Sequence, residues 1–110
     1  MPVREITPEA LREELNGPPD ARPALLDVRT YGEHQIVALP GSELIPLGEL
    51  EERQDELEAL RGREVVVYCH HGVRSLSGAA FLESLGFDAR SLSGGIEAWA
   101  LRVDPTLPRY

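Results

Sequence analysis

Six consecutive residues, Cys69-His70-His71-Gly72-Val73-Arg74, bring a thiol, two imidazoles, a glycine and a guanidinium into one short stretch. Cys69 is the only cysteine in the chain. The chemistry such a set supports is nucleophilic attack by a thiolate held in an anion-binding cradle. Gly72 gives the backbone freedom that a tight curl needs. Curled backbone N–H groups can form a concave nest that favours an anion. The competing reading of a lone cysteine is a small, buried, inert hydrophobe. Two histidines, a glycine and an arginine beside it fit a dry core poorly, and they tip the reading toward chemistry.

The flanking segments must position that loop. Glu64–Tyr68 is β-branched and apolar, which suits a strand covered on both faces. From Ser75 the pattern changes to Leu76, Ala79, Ala80, Leu82 and Leu85, an apolar stripe at helical spacing, closed by Gly86. The loop therefore joins a strand to a helix N-terminus. The first helical turn has backbone N–H groups without intrahelical partners. The helix dipole adds positive potential there. Both effects stabilise a thiolate at Cys69.

The chain of 110 residues is long enough for one domain with one core, spanning 1–110. A hydrophobic content of 42% is ordinary for a soluble globular protein. No run approaches the roughly 20 apolar residues of a membrane span. No N-terminal stretch pairs a basic start with an apolar core in the manner of a signal peptide. One cysteine cannot form an internal disulfide, so a reducing, cytoplasmic setting is expected. Net charge is −8, and all 11 basic residues are arginine. That balance argues against nucleic acid as a partner, because binding phosphates needs a basic face. A small anionic substrate would have to be drawn in by local positive potential at the loop.

In chain order, Val3–Ile6 is expected to be a short strand. Thr7-Pro8 starts a helix as N-cap and first residue. Ala10, Leu11 and Leu15 form its inner face, and Asn16-Gly17 ends it. Residues 16–23 form a surface loop. Ala24–Val28 is a second buried strand, with Asp27 and Arg29 at its tip. Thr30 caps a short helix to Ile36, Leu39-Pro40-Gly41-Ser42 turns, and Glu43–Ile45 is a strand. Residues 49–60 make one or two acidic surface helices whose charges form a solvated face. Ala89–Leu92 is the last strand, Gly94-Gly95 a turn, and Ile96–Leu101 a helix with Trp99 in the core. The tail Val103–Tyr110 is expected to run extended over the surface. Alternating strands and helices imply an α/β domain with a mainly parallel sheet. Ligands bind such sheets at the carboxyl ends of the strands, where Asp27–Arg29 and Cys69–Arg74 both fall.

These segments resemble the single-domain rhodanese family of sulfurtransferases over nearly the whole chain. Leu26-Asp27-Val28-Arg29, Glu33 with Leu39-Pro40-Gly41-Ser42 and Ile45-Pro46-Leu47, Tyr68 through Ser75, and Gly94-Gly95-Ile96-Glu97-Ala98-Trp99 match its motifs in order. The resemblance implies a rhodanese-like fold: a central parallel sheet of about five strands with helices on both faces. It implies that Cys69 takes a sulfane sulfur, becomes a persulfide and passes the sulfur to cyanide or a thiol. That is the displacement logic of thiol–disulfide exchange. No cofactor is implied beyond the covalent persulfide. Two departures stand out. Val37-Ala38-Leu39 replaces a Gly-His-Ile segment. His70 and His71 stand where thiosulfate-using members often carry cations, and an unperturbed histidine is mostly neutral at pH 7. The donor expected is thiosulfate or a protein persulfide, and neutral histidines would make thiosulfate the poorer of the two.

The individual residues carry different weights. Cys69 is the nucleophile. Arg74 has two readings of equal standing, an anion ligand or a structural partner of Asp27 or Glu33. His71, with His70, orients substrate or merely rims the loop. Gly72 and Val73 complete the loop, while Asp27, Arg29 and Ser75 support it, with Arg29 in a salt bridge. His34 is read as a surface residue. A metal site is not expected, since adjacent Cys69, His70 and His71 do not converge on one ion and no spaced ligand set supplies the rest. Three rival functions remain. A cysteine phosphatase or arsenate reductase places five residues between cysteine and arginine, where this chain has four. A non-catalytic binding module would not need the intact loop. A sulfur-relay carrier would turn over thiosulfate weakly and load from a protein donor.

Overall fold

The computed structural model describes residues 2–110. Five strands, β1 (Glu5–Ile6), β2 (Ala24–Asp27), β3 (Glu43–Leu44), β4 (Glu64–Tyr68) and β5 (Asp88–Leu92), form one sheet in the order β1-β5-β4-β2-β3. Every pairing is parallel. The helices are α1 (Pro8–Leu15), α2 (Tyr31–Ile36), α3 (Gln54–Leu57), α4 (Arg74–Ser84) and α5 (Gly95–Arg102). The first strand is shorter than the expected Val3–Ile6, and β3 stops one residue short of Ile45.

β4 is central, flanked by β2 and β5, and buried from Val65 to Tyr68. That is why its sequence is an unbroken apolar run rather than an alternation. Each of its buried valines contributes about 1.5–3 kcal/mol of apolar burial. The strand separates two cores. Val65 and Val67 join Leu26, Leu57, Leu60, Ala79 and Leu82 on the α3/α4 face. Val66 and Tyr68 join Leu25, Leu11, Ile96 and Trp99 on the α1/α5 face. Period-two alternation along β4 thus feeds both layers.

Local signals set the helix ends. Thr7 Oγ1 accepts from Ala10 N at 3.2 Å, with Pro8 in the first turn. Thr30 and Glu33 form a reciprocal capping box at α2. α4 closes with Phe87 N donating to Leu82 O and Gly86 N to Glu83 O, with Gly86 at φ +91°.

Two inner faces differ from expectation. Ala10 is exposed on α1, where Leu11 is the fully buried residue. On α4 the buried side is Ser75, Gly78, Ala79 and Leu82, whereas Leu76 and Ala80 face outward. The reason is close approach. A Cβ at Gly78 would lie 3.1 Å from Val67 Cγ1 and 3.3 Å from Val28 Cγ1, so the small residues of α4 turn toward the sheet. In the acidic segment Leu50, Leu57 and Leu60 are buried while Glu51, Glu52, Asp55 and Glu58 are exposed, a solvated face as expected.

Candidate active site

Cys69 follows the carboxyl end of the central strand, and its side chain is buried. Gly72 N lies 3.1 Å from Sγ and Ser75 N lies 3.3 Å, both donating to the sulfur. The thiol donates to Ser75 Oγ at 3.4 Å, and Ser75 Oγ lies 2.8 Å from Ser91 Oγ in a buried hydroxyl pair. Cys69 therefore sits in a cradle of backbone N–H groups, the arrangement that favours an anion.

The loop curls this way because a second segment holds its carbonyls. Ile96 N donates to Cys69 O at 2.9 Å and Glu97 N to His70 O at 3.0 Å. These donors are otherwise unpaired N–H groups of the first turn of α5. With the carbonyls held beneath, the N–H groups of Gly72 and Ser75 turn toward the sulfur. The contact requires glycine. A Cβ on Gly95 would fall 2.4 Å from both carbonyl oxygens, and Gly95 has φ +64°. Gly72, at φ +93°, packs against the same turn, where a Cβ would meet Gly94 N at 2.9 Å.

The two arginines are both engaged. Arg74 forms a bidentate pair with Glu33, at 2.7 and 2.9 Å. Its guanidinium holds the Glu33 carboxyl well below the usual range, against the opposing effect of burial and with help from Tyr110. Arg29 is fully buried and clamps Asp27, with Nε to Oδ1 at 2.9 Å and Nη2 to Oδ2 at 2.7 Å. Nη2 also donates to Val37 O at 2.6 Å. Burial alone would lower the Arg29 pKa, but the hydrogen bonds to Asp27 and Tyr110 raise it overall.

Above the loop lies an aromatic stack. His70 stacks on His71 at 4.0 Å and on Tyr110 at 3.9 Å between ring centroids. Burial, then the neighbouring His71, pushes the His70 pKa down, so its imidazole is neutral at pH 7. Its Nε2 is a buried polar atom without a partner among the described residues. Tyr110 OH accepts from Arg29 Nη1 at 2.8 Å and donates to Glu33 Oε2 at 2.7 Å. Burial first, opposed by Arg29 and aided by Glu33, pushes the phenol up to about 12, so it stays protonated.

A family model for the rhodanese-like domain matches residues 7–102. The chain belongs to the rhodanese-like domain family. It is 38% identical over 106 residues to the probable adenylyltransferase/sulfurtransferase MoeZ of Mycobacterium tuberculosis, covering 96% of this chain and 26% of that protein. It is 30% identical over 105 residues to the putative sulfurtransferase YtwF of Bacillus subtilis, covering 96% of this chain and 98% of that one. The crystal structure of a rhodanese-related protein from Thermoplasma volcanium superposes with a TM-score of 0.78 at 31% identity, over 96% of this chain and 95% of that one. Among the first curated relatives, the chain spans only 22% to 38% of their length.

Within this rhodanese-like domain, the expected site residues separate. Cys69, Gly72 and Ser75 converge on one cradle. Val73 does not line it, because the residue is 72% exposed at the N-cap of α4. Asp27 and Arg29 form a buried brace beneath α2 instead of touching the sulfur. His34 is a correction: it is half-buried with Nδ1 2.8 Å from Asp27 Oδ2, because α2 is short and lies against the tip of β2. The tail lies on the surface, as expected. It runs back to the loop, where the Tyr110 hydroxyl joins the Arg29 and Glu33 cluster. Nothing local in Val103–Tyr110 announces that return. Gly95 read as an ordinary turn residue, and its role appears only when the two loops are adjacent. Among the described residues, no group of three or more His, Cys, Asp and Glu side chains could hold a metal ion. No described helix is long and apolar enough to cross a membrane.

Proposed function

We propose that this protein is a sulfurtransferase in which Cys69 carries the sulfur as a persulfide, loaded chiefly from a protein persulfide and only weakly from thiosulfate. The observation that carries the reading is the sulfur's setting: two N–H donors aim at Cys69 Sγ, and the guanidinium of Arg74 is paired with Glu33. Sulfurtransferases among the relatives support the general activity.

The Cys69 thiolate attacks the outer sulfur of a donor persulfide. The donor's S–S bond breaks, its thiolate leaves, and a new S–S bond forms on Cys69. With thiosulfate the leaving group is sulfite. An acceptor thiol or cyanide then attacks the outer sulfur and releases the Cys69 thiolate. With cyanide the product is thiocyanate. The reaction is a transfer of sulfane sulfur between nucleophiles and needs no cofactor. The cradle N–H groups stabilise the charge on Cys69 Sγ in the attacking and released thiolate, and Ser75 fixes the sulfur's position through its hydroxyl.

The choice of donor follows from charge. Thiosulfate is a dianion, and the cations at this end of the sheet are engaged: Arg29 with Asp27, Arg74 with Glu33. His70 is neutral. A protein donor brings its sulfur by contact and not by long-range attraction. Tyr31, Ile36 and Val73 are large apolar side chains exposed on segments that leave this end of the sheet, a surface suited to such contact.

Intact mass after incubation with each donor tests the reading, on wild type and Cys69→Ser. The expected result is one added sulfur on wild type only, faster from a persulfidated cysteine desulfurase than from thiosulfate, and discharged by cyanide as thiocyanate. Loading of Cys69→Ser, or no loading from either donor, would overturn it. Faster loading from thiosulfate would overturn the choice of donor alone.

A further inference from the structure

Eight of the 11 arginines hold a carboxylate within 4.0 Å. Among the described residues, the three that do not are Arg12, Arg22 and Arg63. All three line one cavity of about 600 Å³ at the amino ends of β2 and β4. That end lies the length of β4, roughly 17 Å, from Cys69. In a chain of net charge −8, the gathering of every unpaired guanidinium on one hollow is the feature to explain.

The three side chains come from separate elements. Arg12 belongs to the last turn of α1, Arg22 follows the turn Pro19–Ala21, and Arg63 precedes β4. Two are partly fixed by backbone contacts: Arg22 Nε donates to Gly17 O at 2.9 Å and Arg63 Nη2 to Arg22 O at 3.4 Å. Those contacts leave further N–H donors on each fork. Arg12 makes no side-chain hydrogen bond among the described residues. The apolar wall includes Leu15, Leu39 and Trp99. Two carboxylates share the rim, Glu43 and Asp104, and Asp104 Oδ1 already accepts from Thr106 N and Oγ1. The volume falls within the range of sites for small organic ligands, about 300–1,000 Å³.

We propose that this cavity binds a small organic phosphate monoester, its doubly charged head on the guanidiniums of Arg12, Arg22 and Arg63 and its flat apolar body against Leu15 and Trp99. Planar forks suit phosphate oxygens, which accept paired N–H bonds. The site is independent of the sulfur chemistry, because it shares no side chain with the Cys69 cradle.

Trp99 is the only tryptophan, so its fluorescence reports on the cavity directly. Wild type and Cys69→Ser are titrated with phenylphosphonate, a non-hydrolysable phosphate monoester mimic. Inorganic phosphate and phenol supply the head and the body alone. The expected result is a saturable change with phenylphosphonate in both proteins, about tenfold tighter than with either fragment. Affinity should fall as salt is added, since the guanidiniums are exposed. In R12Q/R22Q/R63Q it should weaken by about tenfold or more. Arg102→Gln, a paired arginine outside the cavity, should leave it unchanged. Should the triple variant fold poorly, Arg12→Gln alone carries the test, with an expected weakening of about threefold or more. Absence of a saturable change, equal binding of phenol, or unaltered affinity in Arg12→Gln would each overturn the proposal.

Discussion

The Cys69 loop and the cavity beside the amino end of β2 use charge in opposite ways. At the carboxyl end, around Cys69, each arginine is tied to a carboxylate: Arg29 to Asp27, and Arg74 to Glu33, with Tyr110 bridging the two clusters. Those pairs fix the shape of α2 and the loop, and the sulfur itself is held by backbone N–H groups. At the amino end Arg4 and Arg90 are paired with Asp88 and Glu64, but Arg12, Arg22 and Arg63 have no carboxylate partner among the described residues and face a cavity. The lesson is that an arginine beside a cysteine loop is not thereby free to take an anion. Its partner decides, and partners come from elsewhere in the chain.

The comparison makes graded predictions. Arg29→Met removes the partner of a buried carboxylate and should cost about 3–5 kcal/mol, read by denaturant unfolding. An effect below about 1 kcal/mol would mean that the Asp27 pair is not structural. Gly95→Ala comes next. Its Cβ meets two carbonyl oxygens at 2.4 Å, so a loss of about 2–4 kcal/mol is expected, with slower sulfur loading of Cys69. Gly41→Ala supplies the contrast at the amino end. Gly41 also has positive φ, +78°, but open space around its Cβ, so only the backbone cost of about 1 kcal/mol should appear.

Acid should act on the carboxyl end. The Glu33 carboxyl is lowered from its ordinary value of 4.5, so the unfolded state binds its proton first. The stability it contributes is present in full above that ordinary value. It is lost as pH falls through the lower, folded-state value. Glu33→Gln should therefore lose less stability than wild type between neutral pH and about pH 3, measured as the change in Tm. A parallel loss in both proteins would show that Glu33 is not a source of the acid sensitivity. The smallest effect belongs to Arg12→Gln, expected to shift unfolding free energy by no more than about 0.5 kcal/mol. A larger loss would mean that its guanidinium is structural after all, which would erase the contrast between the ends.

Much of this was legible in the residues. The apolar runs of β2 and β4 identify buried parallel strands, and Thr7-Pro8 and Thr30 mark helix starts that the structure reproduces. Cys69, Gly72 and Ser75 stand within seven residues, so a local curl suffices to gather them. The errors share a cause. Helical spacing put Leu76 and Ala80 inside α4, but the helix rests on its small residues because Gly78 admits Val28 and Val67 at close range. The contacts of His34 and Tyr110 were not legible because their partners, Asp27, Arg29 and Glu33, are brought near by packing and not by spacing.

The sequence by itself determined the strand–loop–helix that carries Cys69 and the parallel α/β order, because these depend on short-range pattern and local backbone preference. Tertiary structure decided what no spacing encodes. It set Gly95 under the carbonyls of Cys69 and His70, gave Arg74 to Glu33, returned Tyr110 to the loop and gathered Arg12, Arg22 and Arg63 about one hollow. Each of these joins segments distant in the chain, and side-chain partners are selected by where the sheet order puts those segments.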